Sequence, residues 1–178
     1  MTRLEAIDKL CESYSVYFDV ERFEENEDLL AATCFLYVHS EKYVLVKAAK
    51  LWEADSNEYV YIFNVPHLTK DVFTKCRDYA HKDGMSRIEP KPGHMCSYIT
   101  ALFICDTCDP DAVRALKRTR IYKSFRLSYY GWMDFHTGLI ELQTGKNCRK
   151  RQWKKYSTAF EKNAAEKNII FEGRETKL

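Results

Sequence analysis

The stretch IYKSFRLSYYGWMDFH, residues 121–136, carries the reading on which the fold turns. Up to Tyr130 it alternates residue by residue. Ile121, Phe125, Leu127 and Tyr129, with Lys123 among them, fall on one face. Tyr122, Ser124, Arg126, Ser128 and Tyr130 fall on the other. Successive side chains of a strand point to opposite sides of its sheet, so the pattern predicts one long strand with an apolar core face. If the parity runs through Gly131, the opposite face continues with Trp132, Asp134 and His136. That row holds residue types that bind and react, yet no motif in it specifies a reaction.

Working outward, a turn is expected at Thr137-Gly138 and a short strand at 139–143. Toward the N-terminus, Asp109-Pro110 marks a helix start, Asp at the cap and Pro at the first helical position, and predicts a helix over 110–119 presenting Val113 and Leu116. Tyr98 to Cys105 is apolar on both faces, the mark of a central strand covered on both sides. Pro90, Pro92 and Gly93 punctuate a loop over 85–95. Thr69 opens a helix with Val72, Phe73, Cys76 and Tyr79 on one side, and Gly84 is expected to close it.

Earlier, three strands are expected at 32–39, 42–52 and 58–65, joined by turns at Ser40-Glu41 and over 54–57 into an antiparallel meander. The stretch 18–28 reads as acidic and irregular. Thr2 and Glu5 form a capping box for a first helix over 2–17, with Leu4, Ile7, Cys11 and Tyr14 at helical spacing. A last helix is expected at 148–166, carrying Trp153, Tyr156 and Phe160. The order is α-βββ-α-β-α-ββ-α, an α+β fold with a mixed, mainly antiparallel sheet and flanking helices. No linker divides the 178 residues, so one domain over 1–168 is expected, with 169–178 as a frayed tail.

Composition excludes several classes. Aromatic residues make up 14% of the chain, and Gly and Pro are scarce, which is not a disordered composition. No apolar run approaches the ~18 residues that span a bilayer, and residues 1–10 have no apolar signal core. A cytoplasmic protein with no membrane partner is the expectation. The seven cysteines sit mostly inside apolar patterns and read as free, buried thiols. Residues 1–65 hold 6 Lys and Arg against 13 Asp and Glu, whereas 66–178 hold 22 against 13. Either the two halves attract each other, or the basic half meets an acidic partner, with nucleic acid among the possibilities.

Four constellations bear on chemistry. His94, Cys96, Cys105 and Cys108 have the outline of a zinc site. However, nine residues of strand separate Cys96 from Cys105 by ~30 Å, while zinc holds its ligands at about 2.3 Å, so no metal and no cofactor is expected. Lys47 lies on an apolar strand face beside Ala48 and Ala49, where it either pairs with Glu53 or Glu58 or serves as a base. Lys146, Arg149, Lys150 and Arg151 load the start of the last helix with cations, the arrangement of an anion site. Glu53, Glu58, His94, Asp134 and His136 are the acid–base candidates, weighed against the commoner structural roles of such residues.

The segments EPKPGHMCSYITALFICD (89–106) and YKSFRLSYYGWMDF (122–135) resemble a family of small soluble Firmicutes proteins known only as a domain of unknown function. That resemblance implies a bacterial, cytoplasmic, single-domain protein and supplies no catalytic residues. The opening order of helix, meander, helix and strand is also similar to the core of the PD-(D/E)XK nucleases. The third expected strand begins Glu58-Tyr59-Val60, without the lysine two positions on that those nucleases use.

Three functions are consistent with these features. The preferred one is a non-enzymatic binding module for an anionic ligand or partner, using Tyr122, Ser124, Arg126, Tyr130 and Trp132 together with Lys146, Arg149, Lys150 and Arg151. The alternatives are a metal-dependent, nuclease-like hydrolase built on the acid–base candidates, and a structural or regulatory homo-oligomer closing on the aromatic strand face.

Overall fold

A computed structural model describes residues 1–23, 29–44, 46–143 and 147–149, with side chains over 1–23, 29–39 and 55–143. The elements are α1 (Arg3–Tyr14), β1 (Asp19–Arg22), β2 (Leu30–Val44), β3 (Val46–Leu68), α2 (Lys70–Arg87), β4 (His94–Cys108), α3 (Pro110–Arg118), β5 (Tyr122–Ser124), β6 (Trp132–Glu141) and β7 (Asn147–Arg149). The fold is α+β, as the sequence predicts. The sheet runs β1-β2-β3-β4-β6-β5, with β7 also pairing β6. It is mixed: β3, β4 and β6 are parallel and the other pairings antiparallel. Parallel neighbours need crossovers, which α2 and α3 supply.

Both crossover helices lie on one face. Phe73, Cys76, Ala80, Ala112 and Leu116 pack there against Tyr61, Phe63, Ile99, Phe103 and Phe135. On the other face Ile7, Leu10, Cys11 and Tyr14 of α1 cover Cys34, Val60, Ile62, Leu102 and Ile104. β4 is therefore buried on both sides, which is why its sequence lacks alternation.

Several expectations are corrected, beginning with the stretch 18–28 read as irregular, of which Asp19–Arg22 is strand β1. The polar residues at Ser40-Glu41 and at 54–57 do not turn the chain. They lie within one long ribbon whose pairing runs from Leu30↔Phe63 to Val44↔Val46, and β1 adds the third strand ahead of it. Neither polar site carries Gly or Pro, so nothing there enforces a turn. Gly84 does not close α2 but lies inside it, where a Cβ would come within 2.8 Å of Ile99. Thr137-Gly138 is no turn either, since β6 runs unbroken from Trp132 to Glu141 along β4, and Thr137 is buried with its hydroxyl donating to the Leu116 carbonyl. Lastly, residues 147–149 begin no helix, because they pair with Gly138–Ile140 as β7. The rest of the expected last helix and the 169–178 tail lie outside the described residues.

The long strand at 121–136 is also broken. β5 stops at Ser124, the chain makes a loop through Gly131, and β6 returns antiparallel. Phe125 is buried as expected, but Leu127, assigned to the core face, is 99% exposed.

Candidate functional site

The segment from α3 to the β5–β6 loop concentrates positive charge. No Asp or Glu occurs between Asp111 and Asp134, while Arg114, Lys117, Arg118, Arg120, Lys123 and Arg126 all do. All six are exposed. Arg114 pairs with Asp111 one turn back. Among the described residues the other five have no carboxylate within ion-pair distance. The packing explains why they face outward. Ala112 and Leu116 turn α3's apolar stripe into the core, and Thr119 closes the helix onto the Ala115 carbonyl. β5 is an edge strand, so the side of its backbone away from β6 meets no other strand of the sheet.

The loop is built around Phe125. Its N–H donates to the Gly131 carbonyl (2.9 Å) and its carbonyl accepts from the Tyr130 N–H (3.1 Å). Arg126, Leu127 and Ser128 all have left-handed φ values of 47°, 55° and 69°. His94 fastens the loop from below. Its Nδ1–H donates to the Tyr130 carbonyl (2.7 Å), its Nε2 accepts from the Ser97 hydroxyl (2.8 Å), and its ring meets Phe125 edge-on at 5.8 Å. The carbonyl bond dictates this tautomer. Both His94 ring nitrogens are thus engaged in holding the loop. Arg126 lies over the Tyr130 ring at 4.9 Å, and Lys123 reaches to 5.8 Å from Phe125.

The polar row expected on one strand is reassembled by the hairpin. Register pairs Tyr122 with Asp134 and Ser124 with Trp132, so these four side chains and His136 share a face. Tyr98 and Glu58 join it from β4 and β3. His136 is buried, its Nε2 lies 3.3 Å from Asp134 Oδ2, and its ring stacks on Tyr98 at 5.3 Å. Burial pushes the partly buried Glu58 carboxyl above its ordinary range, and the nearby His136 draws it partway back. Glu58, Asp134 and His136 therefore share one face, with His136 within reach of Asp134 and Glu58 across Tyr98 from it. His94 lies on the opposite side, beneath the loop.

Of the remaining sequence-predicted residues, Tyr122, Ser124 and Arg126 are exposed, and Tyr130 and Trp132 are half-buried. Arg149 stands in β7 rather than at a helix start. Lys146, Lys150, Arg151 and the side chains of Lys47 and Glu53 lie outside the described residues. Cys96 and Cys105 both stand on β4, nine positions apart. Among the described residues no cluster of His, Cys, Asp and Glu has metal-binding geometry.

One constellation escaped the sequence reading. A groove of about 230 Å³ is lined by Phe35, Tyr37, Asp55, Asn57, Tyr59 and Lys91, among others. Asp55, only 4% exposed in its side chain, accepts from His39 Nδ1 at 2.5 Å and lies 3.5 Å from Lys91 Nζ. Its backbone N–H donates to the Gly93 carbonyl, drawing the Pro92-Gly93 loop onto the ribbon. The misplaced turn at 54–57 hid this arrangement, since a turn aspartate is normally solvated. Lys117, Arg118, Arg120 and Lys123 were also not singled out, though a signal existed in the absence of acidic residues around them.

A family model described as a domain of unknown function, DUF8052, matches residues 2–162. No curated protein matches the chain. No solved structure does either.

Proposed function

The chain belongs to the DUF8052 family, a domain of unknown function, and from its geometry we propose a binding module for an acidic partner. The contact surface is the segment from α3 to the β5–β6 loop. The observation that carries this reading is the row Lys117, Arg118, Arg120, Lys123 and Arg126, exposed and without carboxylate partners among the described residues. Surface cations are usually interspersed with acids, which lowers the local potential. Here the sequence withholds acids from Ala112 to Met133, so no neighbour in the chain offsets these five cations and the segment favours a polyanion. The module works in a reducing, cytoplasmic setting, a reading supported by the six cysteines that are free among the described residues.

Heparin affinity chromatography at neutral pH tests the proposal. The wild type should be retained and released by salt, because each contact is an exposed ion pair subject to screening. The triple variant Lys117→Glu, Arg118→Glu, Arg120→Glu should elute at much lower salt with unchanged circular dichroism. Elution of the variant at the wild-type position would reduce these cations to a solvated surface and sink the proposal.

A further inference from the structure

We propose that the β5–β6 loop is a membrane-contact loop that seats Leu127 in the headgroup layer of an anionic lipid surface. Lys123 and Arg126 would lie against the lipid phosphates. The inference rests on the acidic-partner reading above and names that partner as a lipid surface, in place of the expectation of no membrane partner, which addressed only spanning segments.

A single exposed leucine is ordinary on a protein surface. The backbone beneath this one is not. Left-handed φ is unfavourable for L-residues other than Gly, Asn and Asp, which visit it as isolated residues. Here Arg126, Leu127 and Ser128 adopt it in succession. The conformation is held by hydrogen bonds from Tyr129 N–H to the Arg126 carbonyl and from Gly131 N–H to the Ser128 carbonyl, and by His94 beneath. Strain of this kind persists only where surrounding contacts over-determine it. Its result is that Phe125 turns into the core while Leu127, two residues on, is carried out to 99% exposure. Tyr129, two residues further along the loop, is 81% exposed.

The loop therefore carries an aliphatic tip, an exposed tyrosine and Arg126, with Lys123 on the strand that leads into it. A nucleic acid would satisfy the cations and could stack on the tyrosine, but it would leave the aliphatic tip in water. An anionic lipid surface offers a counterpart to each. Phosphates attract Lys and Arg within a Debye length, the interface accommodates the amphipathic tyrosine ring, and the acyl boundary takes the leucine. The contact is peripheral, since no helix among the described residues is long and apolar enough to cross a membrane. One leucine makes a shallow anchor, so charge dominates the attraction and binding falls as salt rises.

Vesicle co-sedimentation of the full chain tests this. Wild type should sediment with vesicles of equal parts phosphatidylcholine and phosphatidylglycerol and remain in solution with phosphatidylcholine alone. Leu127→Ser should weaken vesicle partitioning by about tenfold, the scale for losing partial burial of one leucine side chain. It should leave salt elution from heparin unchanged, and its exposed position protects the fold. Leu127→Trp provides a second readout: on adding the mixed vesicles its emission should shift to the blue beyond the wild-type change. Equal sedimentation of wild type and Leu127→Ser, with no blue shift, would overturn the inference. Retention on heparin or a single-stranded oligonucleotide without vesicle binding would overturn it too, while leaving the acidic-partner reading standing. Binding to none of these probes would remove both.

Discussion

Gly131 is held at φ +73°, and a Cβ there would collide with the Met95 carbonyl oxygen and come within 2.6 Å of that of His94. Both obstacles are backbone and cannot rotate away. Gly131→Ala combines left-handed strain with this clash and should cost about 3 kcal/mol or more in a denaturant series. A loss within ~0.5 kcal/mol, the usual size for a neutral surface change, would show that the loop is not pressed onto β4 as described. Asp55 makes a prediction in pH. Burial alone would raise its carboxyl. The His39 and Tyr37 hydrogen bonds and the Lys91 ammonium outweigh burial and hold it below the ordinary range. A depressed folded pKa gives stability that is complete above the unfolded value of about 3.9 and lost as pH falls through the folded one. Between neutral pH and about 3, the melting temperature of wild type should therefore fall more steeply than that of Asp55→Asn. Parallel curves would deny Asp55 any net contribution. Alternation alone could not see either residue's role. It assigned Leu127 to the core because parity assumes the strand continues, and the left-handed turn that ends it carries no Gly, Asn or Asp before Gly131.

At the level of elements, α2 shows how one glycine couples a helix to a sheet. The sequence marks Gly84 as a terminator, yet α2 runs on to Arg87, and the missing side chain lets the helix settle onto Ile99 of β4. Alanine would raise helix propensity by about 1 kcal/mol, but its Cβ would come 2.8–2.9 Å from three Ile99 side-chain atoms. Overpacking of this kind costs ~1–3 kcal/mol, so Gly84→Ala should be net destabilising. Adding Ile99→Val removes the Cδ1 contact and should recover part of the loss, measured as a coupling energy in a double-mutant cycle. Strict additivity would mean that the two residues do not press on each other. The element starts were well marked in the sequence. Thr2 and Glu5 make the expected reciprocal bonds and Thr69 accepts from the Val72 N–H, whereas Asp109 at the start of α3 turns to His67 and makes no capping bond to the helix. The caps at Thr2 and Thr69 are local bonds within a few residues, which is why they can be read locally.

Across the whole molecule, protection should follow burial. β4 is covered by α1 on one face, by α2 and α3 on the other, and hydrogen-bonded to β3 and β6 along both edges. Native-state hydrogen exchange should therefore find its slowest amides over 99–104 and their partners in β3 and β6, with β1 and β5 faster by orders of magnitude. Slow exchange in β1 with fast exchange in β4 would contradict the layering. The central strand, the helix starts, the α+β class and the free, buried character of most cysteines follow from the sequence by itself, because apolar composition and capping bonds act over short distances. Tertiary structure alone decided that Ser40-Glu41 and 54–57 stay extended, since the choice between turn and ribbon depends on what pairs across. It also decided that Asp134, His136, Tyr98 and Glu58 share a face, and that Asp55 meets His39 and Lys91. Register and crossover bring together residues far apart in the chain, and no local pattern records that distance.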